Sequence, residues 1–288
     1  MRKTIEIIVM ILFCYSVSFS IRIFVELSDD LVSSTGYERS IERWTKEDYL
    51  KLKKIWGFDL SFPIYITVEK PSEKWGGESF LSLNSYNVIL SSSPERIRRT
   101  LTHEMMHLFN FEWNLQNNVK TPLWVVEGIA CWWESKNHGK RREVTPLIAL
   151  NRKMLDVINV KKYPQGDKLF VFYSAVEDLF FRIDNIVDLK RNLLNLFNDA
   201  KISGWHEALS SALKTDFLVF YKRWKLEIFF VALLKLLYYN IPWFIALSLM
   251  AFLLVARSKL RKNFTDDLSE FEKIYGKNYW MDKNGVIK

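Results

Sequence analysis

The stretch Thr102-His103-Glu104-Met105-Met106-His107 decides how the rest of this chain is interpreted. Residues four apart lie on the same face of a helix, so His103 and His107 can present two imidazoles to one ion. Further along, Trp124-Val125-Val126-Glu127-Gly128 supplies a carboxylate twenty positions after the second histidine. Two histidines and one glutamate form a three-ligand zinc set that leaves one position open for water.

Glu104 directly follows the first histidine and is not required as a ligand. A carboxylate at this position is placed to accept a proton from the water that the metal activates. The spacing therefore predicts one zinc ion per chain, bound by His103, His107 and Glu127, with Glu104 as the general base. The competing interpretation is a surface helix that carries two histidines and an acid by chance.

The composition of the 288 residues points to a folded domain with membrane segments. Hydrophobic residues make up 49% and aromatic residues 15%, which excludes a disordered chain and directs attention to membrane spans. The net charge is +8, without an arginine-rich helix or an aromatic and basic platform, so we predict no nucleic-acid partner and favour an anionic membrane surface. Cys14 lies in the leader region, which leaves Cys131 alone in the domain and the redox compartment unsettled.

Residues 1–20 have the pattern of a secretory leader. A short basic start precedes the apolar run Ile7–Tyr15, and serines follow at positions 16, 18 and 20. This order is typical of a signal peptide cleaved after Ser18 or Ser20, and an uncleaved N-terminal anchor is the alternative. Both place the next residues outside the cytoplasm, whereas a buried first element of a cytosolic domain would not.

Residues 228–256 are predicted to form one transmembrane helix. Leu236–Ala256 contains 21 residues without a charge, which is long enough to span a bilayer. A basic cluster follows at once, and the positive-inside rule places it in the cytoplasm. We therefore expect a cell-membrane protein with residues 21–227 as an extracytoplasmic domain and residues 257–288 as a short basic cytoplasmic tail. A long buried core helix is the alternative.

Between these segments the pattern predicts an α+β domain. The expected strands are Ile21–Leu27, Phe62–Val68, Ser79–Leu83 and Val88–Ser91, and the expected helices are Glu38–Trp56, Pro94 to about Phe109, Pro122–Ser135, Tyr173–Ile186, Leu189–Asn198, Trp205–Leu213 and Phe217–Trp224. Ser93 and Thr121 each precede a proline, which is a helix-start signal, and a polar loop is expected from Asn114 to Lys120. Two short-linked helices can therefore bring Glu127 over the two histidines.

The motif His103-Glu104-x-x-His107 with Trp124-x-x-Glu127-Gly128-x-Ala130 resembles the gluzincin zinc metallopeptidases, and among them the peptidase MA-like group. The resemblance covers residues 100–133 and extends more loosely to the flanking regions, but not to the membrane helix or the tail. It implies a zincin-like fold, with a mixed sheet ahead of the active-site helix and a helical lower part. It also implies hydrolysis of a peptide or protein substrate.

The resemblance also bears on the remaining side chains. Related enzymes stabilise the oxyanion with a downstream tyrosine or histidine, which makes Tyr173 the candidate; a tyrosine that is merely packed on its helix is the alternative. His138 is expected to be exposed in a basic loop, and His206 to be structural or exposed. The strand Ser79–Leu83 is expected at the sheet edge, where an extended substrate can pair with it.

A second class of function competes with the peptidase. A membrane-anchored binding or assembly protein can retain a zincin fold without cleaving anything, although all four site residues are intact here. An intramembrane protease is excluded, because Arg98, Arg99 and Glu112 make the motif's surroundings too polar for a membrane span.

Overall fold

A computed structural model describes residues 21–28, 35–71 and 76–275 of the chain. The predicted leader over residues 1–20 lies outside the described residues, as does the end of the tail from residue 276. The chain divides into two units after Ala232. The first unit combines a mixed sheet with helices, which confirms the predicted α+β class.

Four strands form the sheet: β1 (Ile23–Leu27), β2 (Ile64–Val68), β3 (Gly77–Ser82) and β4 (Ser85–Leu90), in the order β1-β2-β4-β3. β1, β2 and β4 are parallel neighbours, and β3 pairs antiparallel with β4 through a tight turn. Alternate residues of β2 and β4 are buried, as expected for strands with one face on the core. The predicted strands are confirmed, and β3 forms an edge of the described sheet.

The helices are α1 (Thr35–Trp56), α2 (Pro94–Asn117), α3 (Leu123–His138), α4 (Leu147–Leu150), α5 (Asp167–Val187), α6 (Leu189–Ser203), α7 (Trp205–Leu213) and α8 (Phe217–Tyr275). Two 3₁₀ turns, Arg152–Leu155 and Val157–Asn159, lie between α4 and α5. The predicted helices are all present. They pack with the sheet around one hydrophobic core, which α2, α3 and α5 supply in large part.

The segment that joins the two motif helices differs from its prediction. α2 continues past Phe109 and ends only at Asn117, where the C-cap residue Asn118 adopts a left-handed conformation with φ 51°. The expected loop from Asn114 is therefore helical at its start, because polar residues on an exposed last turn do not stop a helix. Helix α3 begins at Leu123, one residue after the predicted start, with Pro122 as its N-cap. Thr121 is therefore not the cap, and its hydroxyl donates to Asn114 Oδ1 at 2.7 Å.

Ser93 occupies the N-cap of α2, and Pro94 follows it as predicted. Ser93 is therefore the cap residue as predicted, although its side chain makes no capping hydrogen bond. The extended backbone of Ser93 and the fixed φ of Pro94 still start the helix, since proline suits the first turn.

Gly128 allows α3 and α5 to approach closely. A Cβ at this position would lie 2.2 Å from Cδ2 of Phe180 on α5, which is far inside van der Waals contact. The glycine after Glu127 is therefore a packing requirement, and it holds the α3 end of the motif against the core.

The second unit contains the apolar part of α8. The helix is long and apolar enough to cross a membrane, with a mean hydropathy of 1.8 over its most apolar window and none of that window buried. Residues 217–224 and 228–256, predicted as separate helices, belong to this single continuous helix, and Pro242 lies inside it. Large apolar side chains such as Trp243 and Leu247 are exposed along it, which is consistent with membrane anchoring.

Candidate metal centre

The structure brings His103, His107 and Glu127 together. The histidines lie one turn apart on α2, with ring centroids 4.7 Å apart, and Glu127 faces them from α3. One ligand atom from each residue lies within 4.8 Å of the other two. Glu127 Oε2 is 3.3 Å from His103 Nε2, and Glu127 Oε1 is 3.6 Å from His107 Nε2. These three residues can bind a metal ion.

The donors fit a metal in their chemistry and their burial. His103, His107 and Glu127 are 8%, 6% and 1% exposed. Within the described part of the chain, Glu127 Oε2 has no hydrogen-bond partner. A buried polar atom without a partner costs about 1–3 kcal/mol, and a cation between the carboxylate and the two imidazoles would remove that cost. Two imidazole nitrogens and one carboxylate oxygen form a set that zinc and several other transition metals accept.

The protonation of two donors suits metal binding. Burial lowers the pKa of His107, which keeps its imidazole neutral at neutral pH. Burial raises the pKa of Glu127, but His107, His103 and Tyr163 outweigh it and lower this pKa to about 2. For His103 burial also lowers the pKa, but Cys131, Glu127 and Glu134 raise it well above its usual value. A metal arriving at His103 must therefore displace a proton.

Glu104 lies between the motif helix and the edge strand. It is 5% exposed, and Ser79 Oγ on β3 donates to its Oε2 at 2.7 Å. A Cβ at Gly77 would lie 3.1 Å from Glu104 Oε1, so this glycine leaves room for the carboxylate. The predicted base is thus held against the strand that the sequence predicted at the sheet edge.

Behind His103 lies a network of ion pairs that the sequence pattern does not predict. Glu134 Oε2 is 3.4 Å from His103 Nδ1, although the two are not aligned as a hydrogen bond. Arg99 and Arg142 contact the same carboxylate at 2.5 and 2.6 Å, and Arg142 also contacts Glu177 at 3.0 Å. Carboxylates behind a ligating histidine orient its ring, so Glu134 is placed to position His103.

Two tyrosines lie beside the triad. The Tyr163 hydroxyl donates a hydrogen bond to Glu127 Oε1 at 2.5 Å. No sequence pattern marks this tyrosine as a site residue. Tyr173 packs its ring edge-on against His103, with centroids 6.2 Å apart, and the Arg142 guanidinium lies 5.6 Å from the centroid of the Tyr173 ring. Burial and the Glu127 carboxylate raise the pKa of both tyrosines, so both keep their protons at neutral pH.

The other histidines lie away from the three metal donors. His138 is the last residue of α3 rather than part of an exposed loop, and its Nε2 is 3.0 Å from Thr102 Oγ1. His138 is therefore half-buried and links α3 to α2 through Thr102, contrary to the expectation that it is simply exposed. His206 is the second residue of α7 and its Nε2 lies 3.7 Å from Asp216 Oδ2, as expected for a structural role.

Comparison of the chain with protein-family models, with curated proteins and with solved structures found no match.

Proposed function

We propose that this chain is a membrane-anchored zinc metallopeptidase with a zincin-like fold, of the gluzincin kind. The observation that carries the proposal is the convergence of His103, His107 and Glu127, with a buried Glu104 on the same helix. Metal-binding sites alone do not imply hydrolysis. A carboxylate that neighbours the first ligand without being a ligand itself does favour hydrolysis, because a purely structural site has no use for a general base.

The residues divide the chemistry among them. Zinc, when bound by the triad, would supply Lewis acidity that makes water a nucleophile near neutral pH and polarises the scissile carbonyl. Glu104 accepts the proton of the attacking water and passes it to the leaving nitrogen. Tyr173, with its hydroxyl protonated, is the proposed donor to the oxyanion, and Tyr163 fixes Glu127.

The substrate is proposed to be an extended peptide segment. β3 has one edge paired with β4 and an outer edge to which no described strand pairs. It touches Glu104 through Ser79, so a peptide added to this edge would run past the proposed base. Backbone pairing of this kind explains how an enzyme can accept many sequences.

Peptide-library cleavage tests the proposal. The full chain in detergent micelles, supplied with zinc, should cleave the library, and Glu104→Gln should reduce the rate by about 10²–10⁴-fold while keeping its metal. Glu207→Gln, an exposed glutamate far along the chain on α7, is the matched control and should cleave like wild type. An uncut library with metal-loaded wild type would favour a binding protein instead, and full activity in Glu104→Gln would remove the assigned base.

The proposed location is the cell membrane, with the metal domain outside the cytoplasm and the tail inside. Trypsin added to intact cells should cut at the exposed Lys140–Arg141 loop and spare the basic residues after Arg257. Cleavage confined to the tail would contradict the proposed orientation and place the tail outside the cell.

A further inference from the structure

The face of α2 that carries His103 and His107 continues through Asn110 and Asn114, at spacings of four, three and four residues. Both asparagines contact Thr121, which lies in the short segment between α2 and α3. Asn110 is fully buried and Thr121 is 4% exposed. One face of α2 therefore holds two metal donors and, further along, a buried group of polar side chains that the proposed chemistry does not use.

These three polar side chains form a closed ring of hydrogen bonds. Asn110 Nδ2 donates to Thr121 Oγ1 at 3.1 Å, Thr121 Oγ1 donates to Asn114 Oδ1 at 2.7 Å, and Asn114 Nδ2 donates to Asn110 Oδ1 at 3.1 Å. The Thr121 backbone N–H donates to the same Asn114 oxygen at 3.2 Å. Because a backbone N–H can only donate, it fixes which end of the Asn114 amide faces Thr121, and with it the direction of the whole ring.

A second set of contacts joins α2 to α3 on the other side of the metal donors. Arg99 on α2 contacts Glu134 on α3 at 2.5 Å, and Thr102 Oγ1 lies 3.0 Å from His138 Nε2. Along α2 the donors follow these contacts and precede the ring, and from the ring through α3 the order is reversed. The metal centre therefore lies between two inter-helix contacts, and the separation of its donors depends on both.

The separation of the donors suits zinc. Zinc binds histidine nitrogen and carboxylate oxygen at about 2.0–2.2 Å in a tetrahedron, which places neighbouring ligand atoms about 3.4 Å apart. Glu127 Oε2 is 3.3 Å from His103 Nε2, and Glu127 Oε1 is 3.6 Å from His107 Nε2. A shift of about 0.5 Å between α2 and α3 is enough to disturb a site of this kind.

The ring reaches Glu127 through the first turn of α3. Thr121 is bonded to Pro122, the N-cap residue, whose carbonyl accepts the amides of Val125 and Val126 at 2.9 and 3.1 Å. Glu127 is the next residue of the same helix. Because side chains on a helix are held more precisely than those on a loop, the position of Thr121 determines where the Glu127 carboxylate lies.

We infer that Asn110, Asn114 and Thr121 are positioning residues for the metal centre. Their hydrogen-bond ring sets the distance between Glu127 and the two histidines and so strengthens zinc binding, although none of the three is a ligand. Contacts that orient ligands in this way contribute about 10–100-fold to metal affinity. The inference rests on the proposed zinc site and is independent of peptidase activity.

Two substitutions at Thr121 separate the ring from simple packing. Thr121→Val keeps the shape of the side chain but removes the hydroxyl, whereas Thr121→Ser keeps the hydroxyl but removes a methyl group from a buried position. Competition with a zinc-binding dye, on the full chain in detergent, should show about tenfold weaker zinc binding in Thr121→Val and nearly wild-type binding in Thr121→Ser. The opposite order, or equal affinities in both variants, would overturn the inference.

Asn114→Ala opens the ring from the α2 side and should also weaken zinc binding about tenfold or more. Its matched control is Asn192→Ala. Asn192 Nδ2 donates to the Val187 carbonyl at 2.6 Å, so it joins α5 to α6 rather than α2 to α3. Both variants should have a lower melting temperature than wild type, but Asn192→Ala should keep its zinc affinity. Equal zinc affinities in these two variants would contradict the positioning role.

The same titration distinguishes failure of the ring from failure of the metal centre. Wild type that binds zinc tightly, together with a Thr121→Val protein of equal affinity, would remove the role of the ring and leave the metal centre in place. Wild type that binds no zinc would remove the metal centre, and the inference with it.

Discussion

The two faces of α3 carry side chains of opposite charge. Toward α2 the helix presents Glu127 and Glu134, and each carboxylate is buried and contacts a histidine, a tyrosine or an arginine. Toward α1 and α6 it presents Trp132, Trp133 and Lys136 to an open basic cavity. The first face brings buried carboxylates beside two histidines that can bind a metal ion, and the second carries an exposed lysine. One helix of 16 residues thus presents buried acidic groups on one face and buried tryptophans with an exposed lysine on the other.

After replacement of the proposed base Glu104, Tyr173→Phe should give the largest loss of activity among changes near the metal centre. Removing the hydroxyl proposed as the oxyanion donor should lower kcat about 10²-fold, with metal content unchanged. Tyr163→Phe should instead weaken metal binding, because its hydroxyl contacts Glu127 rather than the substrate. Steady-state kinetics and metal analysis of both variants check this prediction. An unchanged kcat in Tyr173→Phe would show that Tyr173 only packs against its neighbours.

Glu134→Gln should lower zinc affinity about 10–100-fold, since the amide cannot hold His103 as the carboxylate does. Competition with a zinc-binding dye measures the change. Lys136→Gln lies on the cavity face of the same helix and should leave zinc affinity intact. Equal losses in both variants would show that the two faces are not independent.

Gly128→Ala should destabilise the first unit by about 1–3 kcal/mol, because the added methyl group collides with Phe180. Gly36→Ala in α1 is the matched control. It has open space around its Cβ, so it should be neutral or stabilising. Melting temperatures of the two proteins distinguish crowding at the α3–α5 contact from a general effect of replacing glycine.

The smallest expected effect is the loss at low pH of the stability that the Glu134 carboxylate contributes to the fold. Burial raises the pKa of Glu134, but His103, Arg142 and Arg99 bring it to about 2, below the ordinary value of 4.5. A depressed carboxyl pKa stabilises the fold above the unfolded value and loses that contribution as pH falls toward the folded value. The melting-temperature gap between metal-free wild type and Glu134→Gln should therefore narrow from pH 4.5 downward. A melting-temperature difference that stays constant as pH falls would show that the ion pairs of Glu134 do not make stability depend on pH.

The sequence predicted those features that depend on local periodicity. Two histidines four apart require only one helical turn, and the strands alternate buried and exposed residues as their sequence suggests. Glu134 could also have been found, because it follows Glu127 by two turns on the same face of α3. Its arginines come from elsewhere in the chain, and no local pattern links Arg99 to Arg142.

The features that were missed depend on tertiary contacts or on how far a helix continues. Tyr163 lies in an irregular segment before α5, where no periodicity marks a site residue. The basic cavity is assembled from residues as distant in sequence as Lys51 and Lys190. The C-terminal end of α2 and the continuity of α8 differ from their predictions because polar or interrupting residues do not end a helix whose neighbours favour it.

Metal analysis of the purified full chain tests the central claim most directly. Mass spectrometry of protein in detergent should find about one zinc per chain in wild type and in Glu207→Gln. His103→Ala and Glu127→Gln should retain almost none, since each removes one of three protein ligands. Wild type without a transition metal, or the same metal content in all four proteins, would contradict the metal centre between α2 and α3.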